Sequence, residues 1–147
     1  MLQWLQNVIN RFMTQQESPT FAEIQTAADF DQLLSHETPV ILFKHSRTCP
    51  VSLAAHRQMH AFVRICPDVP VSLLCVLKHR VLSRHIAEQI GVHHESPQAI
   101  LFQHGTVIGH LSHDDIKVDE LTTLVSAFTS VSHDAPVPAS SLRSPQP

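Results

Sequence analysis

The stretch that most constrains this chain is "PVILFKHSRTCPVSLAAHRQM", Pro39 to Met59, where an unbroken apolar run passes into a helical pattern with a few polar residues between. A run such as Val40–Phe43 has no polar face to turn toward water, so it predicts a central strand covered on both sides. Pro50 fits the first turn of the following helix, where its missing N–H would have no intrahelical partner. Val51, Ala54 with Ala55, Met59 and Phe62 then recur at helical intervals, and Pro67 stops the segment.

The rest of the chain alternates in the same way. "FAEIQ" reads as a short strand, and Thr26 caps a helix, "AADFDQLLSH", that gathers Phe30, Leu33 and Leu34 on one side. "VSLLCVL", Val71 to Leu77, is a second buried-type strand. A helix, "RVLSRHIAEQI", follows with Val81, Ile86 and Ile90 expected to face inward and Gly91 as its C-terminal stop. "QAILFQ" and "TVIGHLS" form a hairpin across His104-Gly105, and "DELTTLVSAF" is a final helix. Alternating strands and helices demand parallel pairing, and the hairpin adds antiparallel strands, so the expected fold is α/β, a mixed central sheet with helices on both faces.

Three regions follow from this pattern. Residues 1–19 hold an amphipathic helix, with Leu2, Leu5, Ile9 and Phe12 at helical spacing, and a polar link. Residues 20–131 form the domain. Residues 132–147, rich in proline and serine, have little to bury and read as a disordered tail. The N-terminus lacks the basic n-region and the long apolar core of a signal sequence, and no stretch is long enough to span a bilayer. With a net charge of −3 and no basic block, a nucleic-acid partner is not expected. The three cysteines, Cys49, Cys66 and Cys75, are odd in number and share no repeated spacing, which points to thiols kept reduced in the cytoplasm.

Cys49 has the address of a reactive thiol. A free cysteine, with a pKa of about 8.5, is only slightly ionised at neutral pH, and the thiolate is the nucleophile in sulfur exchange. A strand exit that meets helical amides supplies partial positive charge to the sulfur. Arg47 adds a cation, Ser46, Thr48 and Ser52 offer hydroxyl donors, and Pro50 sets the helix start. The place of a second cysteine in a Cys-x-x-Cys pair is taken by Ser52, so the expected chemistry is monothiol exchange resolved from elsewhere.

These segments, "FKHSRTCPVS", "HRVLSRHIAEQIGVHHESPQAILFQHGTVIGHLSH" and the final helix, resemble the monothiol bacilliredoxins over about Phe21 to Phe128. That family has a thioredoxin-like fold and a Thr-Cys-Pro-Ile/Val-Ser motif. The resemblance implies that Cys49 is the nucleophile, that Pro97 is a cis-proline lying against it, and that the backbone of Ser96 binds the disulfide partner. It further implies an enzyme that removes bacillithiol, or a similar low-molecular-weight thiol, from S-thiolated client proteins. The small thiol would be a co-substrate, with no bound cofactor and no metal.

The remaining candidates are weighed against plainer roles. Cys75 reads as a small buried hydrophobe, and Cys66, seventeen residues beyond Cys49 at the end of the same helix, is too far along it to resolve that sulfur (66 − 49 = 17). His56 and His60 have a chelating spacing, but the twelve histidines read mainly as solvated surface groups. His45 either tunes the thiolate or simply ends the strand. The rival functions are an iron–sulfur or metal-binding module of the Cys-Gly-Phe-Ser glutaredoxin kind, disfavoured by Pro50, and an interaction domain without redox turnover.

Overall fold

The computed structural model describes residues 20–129 together with Leu2, Gln3 and Gln6. Those three N-terminal residues are helical and exposed; the rest of the expected N-terminal helix and the expected tail lie outside the described residues.

Five strands and four α-helices alternate in the domain. They are β1 (Ala22–Glu23), α1 (Ala27–Leu34), β2 (Val40–His45), α2 (Pro50–Ile65), β3 (Val71–Cys75), α3 (Arg80–Ile90), β4 (Gln98–Gln103), β5 (Thr106–Ser112) and α4 (Val118–Thr129). The strand order is β1-β3-β2-β4-β5. β1, β3 and β2 are parallel, whereas β4 runs antiparallel to β2 and β5 antiparallel to β4. The hairpin turns through His104 (φ 49°) and Gly105 (φ 72°), the pair of left-handed residues that a tight two-residue turn requires.

Every residue of β2 is buried, as its apolar run requires. Its alternate side chains feed two cores. On one face Ile41 and Phe43 meet Ala55, Met59 and Phe62 of α2 and Leu121 and Val125 of α4. On the other, Val40 and Leu42 meet Phe30 and Leu33 of α1 and Ile86 of α3, with Ile100 and Phe102 of β4. α1 starts with a full capping box: Thr26 Oγ1 accepts from Asp29 N–H at 3.2 Å, and Asp29 Oδ2 accepts from Thr26 N–H at 2.8 Å.

Several side chains differ from the expected facing. Val81 is 82% exposed, because it precedes Ile86 by five residues, about 140° around a helix, while Ser83 and Ile86 share the inner face. Val51 and Ala54 are likewise exposed, and the inner stripe of α2 is Ser52, Ala55, Met59 and Phe62. β3 ends at Cys75 rather than Leu77; Leu77 is exposed, and the last rung is Val76 N–H to His45 C=O at 3.0 Å. Cys75 is only partly buried, packed against the α2 core rather than enclosed by it.

Phe102 and Phe30 meet edge to face with ring centroids 5.8 Å apart. Phe102→Ala should therefore cost about 3–5 kcal/mol in urea unfolding, and a loss under about 1 kcal/mol would show that this face does not hold the sheet to α1.

Candidate active site

β2 ends at His45, and Ser46, Arg47 and Thr48 connect it to Cys49, the N-cap of α2. Cys49 has extended backbone angles (φ −97°, ψ 121°), its carbonyl accepts the first helical bond from Leu53 N–H at 3.0 Å, and Pro50 occupies the first helical turn. The sulfur is partly buried and makes no side-chain capping bond, so it stands at the end of a sixteen-residue helix whose first amides lack intrahelical acceptors. Of the other two thiols, Cys66 caps the far end of α2, and Cys75 closes β3 opposite His45, at the end of the sheet from which the cysteine loop leaves.

Lys44 of β2 pairs across the sheet with Gln98 of β4, so the residues just beyond these ends occupy the same edge. This places Cys49 and the Ser96–Pro97 segment at one end of the sheet. The Ser96–Pro97 peptide is cis, as the family resemblance implied. Pro97 is buried and its carbonyl accepts from His113 N–H at 3.0 Å. Gln98, itself buried, braces the segment: its Nε2 donates to His93 C=O at 2.9 Å and its Oε1 accepts from Glu95 N–H at 3.4 Å. The Ser96 hydroxyl is enclosed without a partner.

The other sequence candidates have defined places. Ser52 is completely buried (0% exposed). Its Oγ accepts from Ser46 N–H at 2.8 Å and shares a hydrogen bond with Nδ1 of His45 at 3.0 Å. Ser46 Oγ and Thr48 Oγ1 are 3.4 Å apart. Arg47 is 71% exposed and reaches Glu23 on β1 at 3.5 Å. The hydroxyl at the position of an absent second thiol thus ties the cysteine loop to β2 and α2.

The structure overturns the reading of the histidines as solvated groups for His56 and His60, and His45, the last residue of β2, joins them. His45, His56 and His60 form a column with Phe43 and Phe21: centroids are 4.8 Å apart for His45–His56, 4.5 Å for His56–His60 and 4.6 Å for Phe21–His60. With Leu53, Leu73, Arg47 and Glu23 the three imidazoles and Phe21 line a cavity of about 500 Å³. Burial depresses all three imidazoles. His56 is pushed down to about 4, first by desolvation and then by His45, His60 and Arg47. His45 is lowered by burial, against a backbone hydrogen bond at Ser52, and further by Arg47; His60 is lowered by burial and Arg64. Only the i, i+4 spacing of His56 and His60 hinted at this column, because His45 and Phe21 reach it through the fold. Among the described residues no three His, Cys, Asp or Glu side chains are arranged to hold a metal ion.

Two outcomes follow from this geometry. Ser52→Ala removes the acceptor of a buried N–H and the partner of a buried imidazole, and should lower stability by about 1–3 kcal/mol in urea unfolding; an unchanged midpoint would show that the latch contributes nothing. For His56 the unfolded chain binds a proton near pH 6.5 and the folded one only near 4, so its contribution is full above 6.5 and is lost as pH falls through that window. Unfolding at pH 5 and pH 7 should therefore show an acid loss that shrinks in His56→Phe, and an equal loss in both proteins would remove His56 as its source.

Solved structures show the same architecture. A chain with a thioredoxin fold, described as a candidate oxidoreductase, is 34% identical with a TM-score of 0.66, covering 70% of this chain and 91% of that one. Fasciola hepatica thioredoxin is similar in fold at 15% identity and a TM-score of 0.60, covering 73% of this chain and 98% of its own. A mutant thioredoxin from Halobacterium salinarum, at 19% identity and 0.60, covers 74% and 89%. The family model described as monothiol bacilliredoxin BrxC matches residues 22–121, a span that holds β1, Cys49, Ser52 and the cis Ser96–Pro97 bond. A thioredoxin fold, a lone cysteine at a helix start and this match agree: the chain belongs to the monothiol bacilliredoxin family, whose function is thiol redox chemistry.

Proposed function

We propose that Cys49 carries out monothiol exchange that strips bacillithiol, or a similar low-molecular-weight thiol, from S-thiolated client proteins. The observation that carries this reading is the placement of a single, partly buried sulfur at the N-cap of α2 with the hydroxyl of Ser52 where a second sulfur would stand.

The Cys49 thiolate attacks the small-thiol sulfur of the mixed disulfide. A new disulfide forms between Cys49 and the small thiol as the old one breaks, and the client leaves as a thiolate that takes a proton from water. A second molecule of small thiol, as its thiolate, then attacks the sulfur of the capping group. Its disulfide departs and Cys49 returns as a thiolate. Electrons balance because the incoming small thiol is oxidised to a disulfide sulfur as the client cysteine is reduced, while the cap stays at the disulfide level throughout. Ser52 does not compete for the mixed disulfide, since an alcohol is not a nucleophile for sulfur at neutral pH. Ser96 and Pro97, at the same end of the sheet, are the surface on which the substrate disulfide is laid, with the Ser96 backbone as its hydrogen-bonding edge.

This chemistry belongs to a reducing compartment, and we place the protein in the cytoplasm, acting on protein clients rather than nucleic acid or membrane. No helix among the described residues is long and apolar enough to cross a membrane.

Reduced protein mixed with a bacillithiolated model protein and, separately, a glutathionylated one should acquire the matching cap on Cys49, read by intact mass and peptide mapping. Cys49→Ser should acquire none. If neither cap moves, or if the adduct maps to Cys66 or Cys75, the exchange reading fails and a binding module without redox turnover takes its place.

A further inference from the structure

β2 carries a second buried polar residue that the thiol site does not use. Lys44 points to the face opposite the imidazole column and is 0% exposed. A buried ammonium is ordinarily matched by a carboxylate. Here its neighbours are the Ser83 carbonyl at 3.3 Å and Nδ1 of His94 at 3.4 Å, and the Ser83 hydroxyl lies 3.2 Å from that same nitrogen. Two donors converge on one imidazole nitrogen, so His94 accepts there. Desolvation without a counter-charge pulls Lys44 down to about 8.

Ser83 and His94 line a cavity of about 430 Å³, and Arg80, Arg84 and His93 line it with them. Arg80 and Arg84 are one helical turn apart on α3, which sets their side chains on the same face. None of Lys44, Arg80 or Arg84 meets a carboxylate: the ion pairs among the described residues are Arg47–Glu23 and His113–Glu95. Glu95, the carboxylate next to His94 in sequence, is turned to His113 at 3.9 Å. The result is a concave site floored in part by Val76 and Leu77, with two guanidinium groups, two imidazoles and a hydroxyl on its walls and a buried ammonium behind them; Glu95 acts on the two imidazoles, and among the described residues no carboxylate pairs with Lys44, Arg80 or Arg84.

We propose that this cavity binds a compact dianion, a phosphate group or a short dicarboxylate, among Arg80, Arg84, His93, His94 and Ser83, with Lys44 buried behind Ser83 and His94. Guanidinium groups grip planar or tetrahedral oxyanions with paired N–H donors, and a flexible lysine adds a point charge. The bound anion supplies the counter-charge that Lys44 lacks. It also touches His93 and His94, on the segment that Gln98 braces and that continues into Ser96–Pro97.

Calorimetric titration of the whole protein with inorganic phosphate and, separately, succinate, at constant ionic strength and pH 7, tests this without reading thiol exchange. Saturable one-to-one binding of either anion is expected; phosphate alone identifies a phosphate site, succinate alone a dicarboxylate site. The Arg80→Ser/Arg84→Ser double variant should weaken it by at least about tenfold, the loss of one charge-assisted contact or more. Arg57→Ser/Arg64→Ser, which removes the same charge from exposed positions on α2, should leave it unchanged. Lys44→Met should also weaken binding, but it alters the core, so the exposed arginine pair decides. The absence of saturable binding by both anions, or equal losses in the two double variants, overturns the proposal.

Discussion

Enclosing β2 between two helical layers is the constraint from which the rest of this structure follows. The apolar half of the strand, Val40 to Phe43, gains from burial on either face, but the strand does not end there: Lys44, His45 and Ser46 are buried as well. Each brings polar groups into a region where an unmatched donor or acceptor costs on the order of a few kcal/mol. The fold answers each one separately. The Ser46 amide and the His45 imidazole converge on Ser52, and Lys44 turns to the other face, to Ser83 and His94.

That division gives the cysteine loop its surroundings. On the α2 side the imidazoles are held neutral, chiefly by burial, so the cavity they line is uncharged at neutral pH apart from the Arg47–Glu23 pair. On the α3 side Lys44, Arg80 and Arg84 are cationic and form no ion pair among the described residues. A strand that alternates its side chains between faces thereby separates a neutral pocket from a positive one by the thickness of a single sheet. Ser52 belongs to both stories. As a serine it cannot complete a dithiol, and as a buried hydroxyl it holds the loop on which the lone sulfur sits.

Much of the fold was legible because its signals are local. Thr26 with Asp29 is a capping box written in four residues, and His104-Gly105 demands a left-handed turn wherever it falls. The apolar run of β2 has only one comfortable place in a layered protein. Facing was less legible. Val81 looks like a core residue by composition, but the helix phase is set by where Ile86 of α3 packs with Leu74 and Ile100, and that phase turns Val81 outward. Leu77 lost its strand place because pairing with β2 stops where β2 leaves the sheet. Cys49, Pro50, Ser52 and the Ser96–Pro97 pair were visible as a motif because they are contiguous or bear a recognised spacing. The imidazole column and the Lys44 cluster were not, since His45 reaches His56 and Lys44 reaches His94 only after the strands pair and the helices dock.

The sequence alone determined which segments are strands and helices, that a lone thiol opens the second helix, and that serine stands where another thiol would resolve it. Those are properties of neighbouring residues and of hydrophobic period, and they survive without knowledge of the partner surfaces. Tertiary structure decided which polar side chains are buried together, that His56 is neutral far below the usual imidazole range, and that Lys44 is buried behind Ser83 and His94 of a second cavity. Solvation and charge depend on every group within a few ångströms, and those groups come from parts of the chain that only the folded sheet brings into contact.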